Sequence, residues 1–407
     1  MTQLKPNSTT LSRRWDIDWL RVLATLAVFL FHCARFFNDE GWHIKNNELD
    51  LGMTIFVNIV AQWLMPLFFI LSGGSIYYAL VSRRSGAFIR ERMTRLLPPL
   101  IFGILVLIPP QVYIESVSGQ SDTVPPFAGS FLEFYPHYFD GFYAFGGYFA
   151  WMGLHLWYLL VLFILSLLTL PLFILLKTHT GQRGVTGLAA GLAKPGLFLL
   201  LPAPLIIFEA GLDPDGLGLR AFGGWSLAIY LSWLIIGYVL AAEPRFQQAI
   251  RQHFFAAIGL GVLTLTLGLS LADSDFAAPY GSLNFTLLMS IRIFNSWFWL
   301  LAILGLGQRY FTLKNGFLTY TSEASLPFYI LHQSVIVVIG FFMKDWALGV
   351  LPKYVILAVV SFAIIMALYE LLIRRFGLLR FLFGLKARQS DRNALAAQPK
   401  KQTASLI

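Results

Sequence analysis

Ten apolar runs follow one another along this chain. Each is about 20 residues long, the length a helix needs to cross ~30 Å of hydrocarbon. They lie near 17-37, 53-80, 96-113, 153-176, 195-211, 224-242, 254-272, 283-306, 324-343 and 353-373. Charged residues make up 13% of the chain, where an ordinary soluble domain carries about 25%. The reading is an all-α polytopic membrane protein, with one bundle of about ten transmembrane helices over residues 1-385. The first run follows a short polar tail without a small-residue cleavage site, so it reads as a retained helix and not a signal peptide. The polar, Ala/Gln/Lys-rich segment 386-407 is expected to be a disordered cytoplasmic tail.

Charge placement sets the expected orientation. With the amino terminus inside and the runs alternating, 23 of the 30 Lys and Arg fall on the inner side and five on the outer. Arg21 and Arg292 remain within runs. By the positive-inside rule both termini are then cytoplasmic, in a multi-pass protein of the cell membrane. The net charge of +9 is accounted for by this asymmetry, and no nucleic-acid partner is needed to explain it. Cys33 is the single cysteine, which excludes an intramolecular disulfide.

Arg21 and His32 stand eleven positions apart inside the first run. Eleven helical residues overshoot three turns by only about 20°, so both side chains share one face, ~16 Å apart along the axis. Each ionisable group in hydrocarbon costs at least ~2.5 kcal/mol, which is why such residues usually face a protein interior and carry function. A histidine titrates near pH 6.5 and is suited to take a proton from a hydroxyl and return it. His155 opens the fourth run at comparable depth, and His332 lies in the ninth. For each histidine the alternative is a structural role, bonded to a carbonyl. Asp18 stands at i−3 to pair with Arg21, and Arg292 in the eighth run needs a partner or a wet cavity. Glu209, Glu323 and Glu370 fall at run ends, where a long side chain reaches the headgroups. No spacing supports a metal site.

Two segments between runs stand out. Residues 81-95, read as an inner loop, carry Arg83, Arg84, Arg90, Arg92 and Arg95 and no Lys. Anionic-lipid attraction explains such a cluster. Arg92 and Arg95 also share a face at i, i+3, and arginine forks grip phosphate bidentately, which points to a phosphorylated cytoplasmic ligand. Residues 114-152 form a long outer segment dense in aromatics, with Glu115, Asp122, Glu133 and Asp140 and no Lys or Arg. Its rings suit either the headgroup layer or a platform on which an acceptor such as a sugar stacks.

Together these features resemble the acyltransferase 3 family of membrane enzymes. The resemblance rests on Arg21-x10-His32, on Phe68-Phe69-Ile70-Leu71-Ser72-Gly73, and on Arg92-Met-Thr-Arg95 leading into Leu-Leu-Pro-Pro. It extends to His155-Leu-Trp-Tyr-Leu and to Ser325-Leu-Pro-Phe-Tyr-Ile-Leu-His332. Within the family, His155-Leu-Trp157-Tyr-Leu and Tyr369-Glu370 look most like the glucan biosynthesis type, implicated in succinylating periplasmic glucans. The ninth-run motif departs from that type by ending Leu-His-Gln where it has His-His.

The resemblance implies O-acyl transfer from cytoplasmic acyl-CoA, as co-substrate with no bound cofactor, to a hydroxyl of an extracytoplasmic carbohydrate. It implies Arg92, Arg95 and Arg90 at the CoA phosphates, Arg21 along the entering arm, and His32 as general base or acyl carrier. His155 or Trp157 would supply an oxyanion donor. The rival class is a transporter using intramembrane Arg21, His32 and Arg292; no inverted halves or paired broken helices support it.

Overall fold

The computed structural model describes residues 14–386 apart from 120, 122, 195, 276 and 277, so almost all of the tail 386-407 lies outside the described residues. The chain folds as helices; among the described residues the only extended pairings are isolated bridges at Phe142–Phe149 and Phe222–Trp225.

In chain order the helices are α1 (Trp15–Arg35), α2 (Leu51–Ala61), α3 (Leu64–Ser82), α4 (Ser85–Phe102), α5 (Pro109–Ser118), α6 (Phe131–His137), α7 (Trp157–Leu168), α8 (Leu170–Leu176) and α9 (His179–Leu192). There follow α10 (Ile206–Gly211), α11 (Leu227–Ala242), α12 (Pro244–Gln252), α13 (Phe254–Asp275), α14 (Leu283–Tyr310), α15 (Gly316–Met343), α16 (Val350–Leu368) and α17 (Gly377–Leu382). Among the described residues seven segments are long and apolar enough to cross a membrane, and three bent helix pairs bring the number to ten if each pair is one span. The pairs are α7–α8, bent by 49°, α9 with the segment Leu197–Gly211, bent by 116°, and α11–α12, bent by 103°. The expected fifth run, 195-211, is thus two short 3₁₀ turns and a six-residue helix instead of one straight span. Pro202 and Pro204 deny it continuous hydrogen bonding.

Local chemistry starts several of the helices. Asp16 and Asp18 occupy the first turn of α1 and complement its dipole. Side chains of Asp50, Ser226, Ser282 and Asn315 cap α2, α11, α14 and α15 by accepting backbone N–H groups. The arginine-rich segment read as a loop is helical from Ser85 onward. Nothing between Gly86 and Pro98 breaks a helix, so α4 carries Arg90, Arg92 and Arg95 on its first three turns.

α1 and α15 pack against each other at the centre, with α3, α14 and α16 also on α1 and α5 and α16 on α15. α3 and α11 meet backbone to backbone. A Cβ on Gly73 would stand 2.0 Å from the Leu234 carbonyl oxygen, and one on Gly237 would stand 2.2 Å from that of Ile70. The small-residue patch of the Phe-Phe-Ile-Leu-Ser-Gly motif therefore serves close helix approach.

Between α4 and α5 the chain makes one π-helical turn, Gly103–Leu107, ahead of Pro109 and Pro110. The prolines supply no N–H, and at Leu105 a side chain takes over, Tyr135 Oη–H donating to its carbonyl at 2.9 Å; Ser334 Oγ–H donates to the Leu107 carbonyl at 2.8 Å. Such turns recur at functional sites, and this one adjoins the histidines described next.

Candidate active site

Three histidines from three distant stretches of chain meet inside the bundle. α1 brings His32, the 3₁₀ turn Leu154–Leu156 brings His155, and α15 brings His332. The His332 ring lies 4.9 Å from that of His32 and 5.1 Å from that of His155, centre to centre. His155 and His332 are buried, and His32 is partly exposed.

Backbone carbonyls fix the tautomers, because a carbonyl oxygen only accepts. His332 Nδ1 contacts the Tyr329 carbonyl and so carries hydrogen, which leaves Nε2 bare. His32 Nδ1 lies 3.0 Å from the Val28 carbonyl and 2.9 Å from His332 Nε2. One N–H, shared between those two acceptors, satisfies both contacts. In the neutral ring His32 Nε2 is then the bare, basic nitrogen. His155 Nε2–H donates to the Ile330 carbonyl at 3.1 Å, and its buried Nδ1 has no partner among the described residues. Tyr329, which packs its ring on His155 and His332, donates its hydroxyl to the His155 carbonyl.

Toward the amino-terminal end of α1 the arginines gather. Arg21 donates to Asp18 Oδ1 at 3.2 Å, the pairing expected at i−3, and to Ser75 Oγ at 2.8 Å. Arg92 and Arg95 stand close enough to Arg21 for the three charges to act on one another. Arg92 lies over the Phe88 ring at 5.0 Å and feels the Glu91 charge without forming a direct ion pair among the described residues. Arg95 is half exposed and reaches the Gly384 carbonyl at 3.4 Å. Arg90 is two positions from Arg92, about 200° round the helix, and stays exposed away from this group. Between arginines and histidines stands Tyr158, whose hydroxyl is 2.6 Å from Ser72 Oγ and whose ring is 6.1 Å from Tyr329. Its charge environment includes both Arg21 and Arg92.

Two expected residues lie elsewhere. Arg292 binds Glu209 Oε1 at 3.0 Å, with Arg220 Nε 2.9 Å from the same oxygen and the Trp225 ring 4.0 Å from the Arg292 guanidinium. Glu209 does not reach toward headgroups: it is fully buried as the counter-ion of two arginines, which is how an intramembrane Arg is tolerated. Trp157 packs with Phe222 and Tyr230, on the far side of its helix turn from His155. Glu323 and Glu370 pair with Arg380 and Arg374.

At the opposite end the 36–50 connection folds back over α1. Trp42 stacks on His32, with ring centres 6.3 Å apart and planes 23° apart, and the His43 ring is 5.7 Å beyond. His43 Nδ1 bonds Glu115 Oε2, and Tyr143 Oη–H reaches both Glu115 oxygens at 2.9 and 3.0 Å. Neither Trp42 nor His43 stands out in the sequence, since both fall between apolar runs. The available signal was a polar residue, Glu115, within helical reach of an apolar run.

A family model described as an acyltransferase domain matches residues 14–370, most of the chain. Glucans biosynthesis protein C of Escherichia coli strain K12 is 24% identical over 120 residues, 29% of this chain and 31% of that protein. The protein of the same name from E. coli O1:K1 / APEC has the same identity and coverage. The match thus spans about a third of the length of these relatives. No solved structure matches the chain.

Proposed function

The chain belongs to the acyltransferase 3 family, whose acyltransferase domain covers residues 14–370, and from that premise we propose which reaction this membrane acyltransferase performs. It moves an acetyl or succinyl group from cytoplasmic acyl-CoA to a hydroxyl of an extracytoplasmic carbohydrate, a glucan by analogy with the relatives' name. The observation that carries the reading is the bare Nε2 of His32, held by the Val28 carbonyl and His332 at the end of a face that begins at Arg21.

Arg92, Arg95 and Arg21 receive the CoA phosphates and the start of the pantetheine arm, where guanidinium forks match phosphate geometry. Arg92, which forms no direct ion pair with a carboxylate among the described residues, has room for a further anion. The arm then passes Tyr158 toward the histidines. His32 Nε2 takes the proton of the acceptor hydroxyl as its oxygen attacks the thioester carbonyl. The C–S bond breaks, and the same proton goes to the departing thiolate. In the alternative order His32 Nε2 attacks the thioester first and the C–S bond breaks to release the CoA thiolate; the acyl-imidazolium then passes its acyl group to the acceptor oxygen, whose proton goes to the thiolate. His332 Nε2 accepts the proton-bearing edge of His32 in either case and is a positioning residue. His155 presents a bare Nδ1, which fits an acceptor of a substrate N–H or O–H better than an oxyanion donor.

The test is thiol release and acyl transfer from acetyl-CoA and succinyl-CoA by purified protein, wild type beside His32→Ala. Turnover by the wild type with loss of at least ~100-fold in the variant is expected for a missing base. Equal turnover by both would remove His32 from the reaction.

A further inference from the structure

The connection after α1 carries chemistry that the transfer step does not use. Its backbone is held rigidly: Asn46 N–H donates to the Phe36 carbonyl and Asp50 N–H to that of Phe37, each at 2.9 Å. Lys353 Nζ clamps Asn46 Oδ1 at 2.8 Å from α16. That frame fixes a half-buried Trp42 against His32 and a buried His43 against Glu115. The carboxylate belongs to α5, and the Tyr143 hydroxyl that completes its bonding belongs to the aromatic segment.

His43 gives its Nδ1–H to Glu115, so Nε2 is the ring nitrogen left to face a ligand, accepting from a hydroxyl in the neutral ring and donating to one in the protonated ring. Among the described residues that nitrogen has no hydrogen-bond partner. A half-buried indole beside an oriented imidazole nitrogen suits a ligand with one apolar face and several hydroxyls, since binding sites pair apolar walls with a few placed polar groups. A sugar ring has that composition: C–H bonds on one face, O–H groups round the edge. The position also fits, because the arginines stand at the other end of α1.

We infer that Trp42, His43, Glu115 and Tyr143 form the subsite that receives the carbohydrate acceptor, Trp42 stacking a sugar ring next to His32 and His43 Nε2 hydrogen-bonding to one of its hydroxyls. This rests on the transferase reading above for its role in catalysis, though not for binding itself. Glu115 and Tyr143 are positioning residues, and through Tyr143 the aromatic segment shapes the same subsite.

The experiment is equilibrium binding of a tritiated pool of glucose oligosaccharides to the full chain in nanodiscs, with acetyl-CoA kinetics measured in parallel. Trp42→Ala and Glu115→Gln are expected to weaken oligosaccharide binding by about 10-fold each, as for loss of one stacked or hydrogen-bonded contact. The acceptor KM rises in parallel, while the acetyl-CoA KM stays within about 2-fold of wild type. Trp42→Phe, which keeps a flat ring, restores binding to within about 3-fold. Unchanged binding in both variants, or no binding by the wild type, overturns the proposal and leaves the connection as a structural clamp. Trp42-dependent binding without any acetyl-CoA consumption upholds the subsite and overturns the donor reading instead.

Discussion

A neutral imidazole is an effective base only when one nitrogen is kept bare and aimed, and the protein must hold the other nitrogen to achieve that. Here the Val28 carbonyl and His332 Nε2 share the Nδ1–H of His32. Replacing His332 by Ala frees the ring to rotate and to change tautomer. The expected result is a fall in kcat of about 10²-fold with little change in either KM, and His332→Gln, whose side-chain oxygen still accepts, recovers part of it. Steady-state kinetics of the two variants decide; wild-type kcat in His332→Ala would leave His332 a packing role. Arg21 and His32 were legible together because a single helix periodicity relates them. The His32–His332 contact joins residues 300 apart in sequence, and no local pattern encodes such a distance. Arg292 was legible as needing a partner, whereas Glu209 was misread because its carboxylate is fully buried, which sequence position alone does not reveal.

Elements place these residues, and glycines and prolines place the elements. α3 and α11 touch through Gly73 and Gly237, so Gly237→Val forces a side chain into the Ile70 backbone. The strain should exceed about 3 kcal/mol, the upper end of ordinary overpacking. Thermal unfolding in detergent should show an early transition in this variant, and an unshifted one would mean that the helices do not approach so closely. α4 illustrates a different limit of sequence reading. Five arginines suggested a loop, but arginine is a good helix former, and the helix runs on from Ser85 until the π turn at Gly103. The helical setting puts Arg92 and Arg95 on the side of Arg21 and leaves Arg90 out. Arg92→Ala should therefore raise the acyl-CoA KM by about 10- to 100-fold, the worth of a charged hydrogen bond, and Arg90→Ala by less. Equal effects would indicate a topological role for all of them.

At the scale of the molecule, seven of the ten expected runs appear as spans among the described residues, because hydrocarbon thickness sets the length of such runs, and the other three fall in bent helix pairs. What the runs did not convey is the convergence of α1, α4–α5, α7 and α15 on one line of polar side chains. That line runs from Arg92 and Arg21 through Tyr158 to the histidines, and on through Trp42 to His43 and Glu115. Under the proposed function it divides a donor end from an acceptor end, and the acyl group alone would pass His32. The most direct measurement uses proteoliposomes with labelled acetyl-CoA confined to the face bearing the amino terminus and glucose oligosaccharides confined to the other. Labelled oligosaccharide on the far side, absent with His32→Ala, is the predicted result. Label that appears only when donor and acceptor share one face would contradict transfer through the bundle.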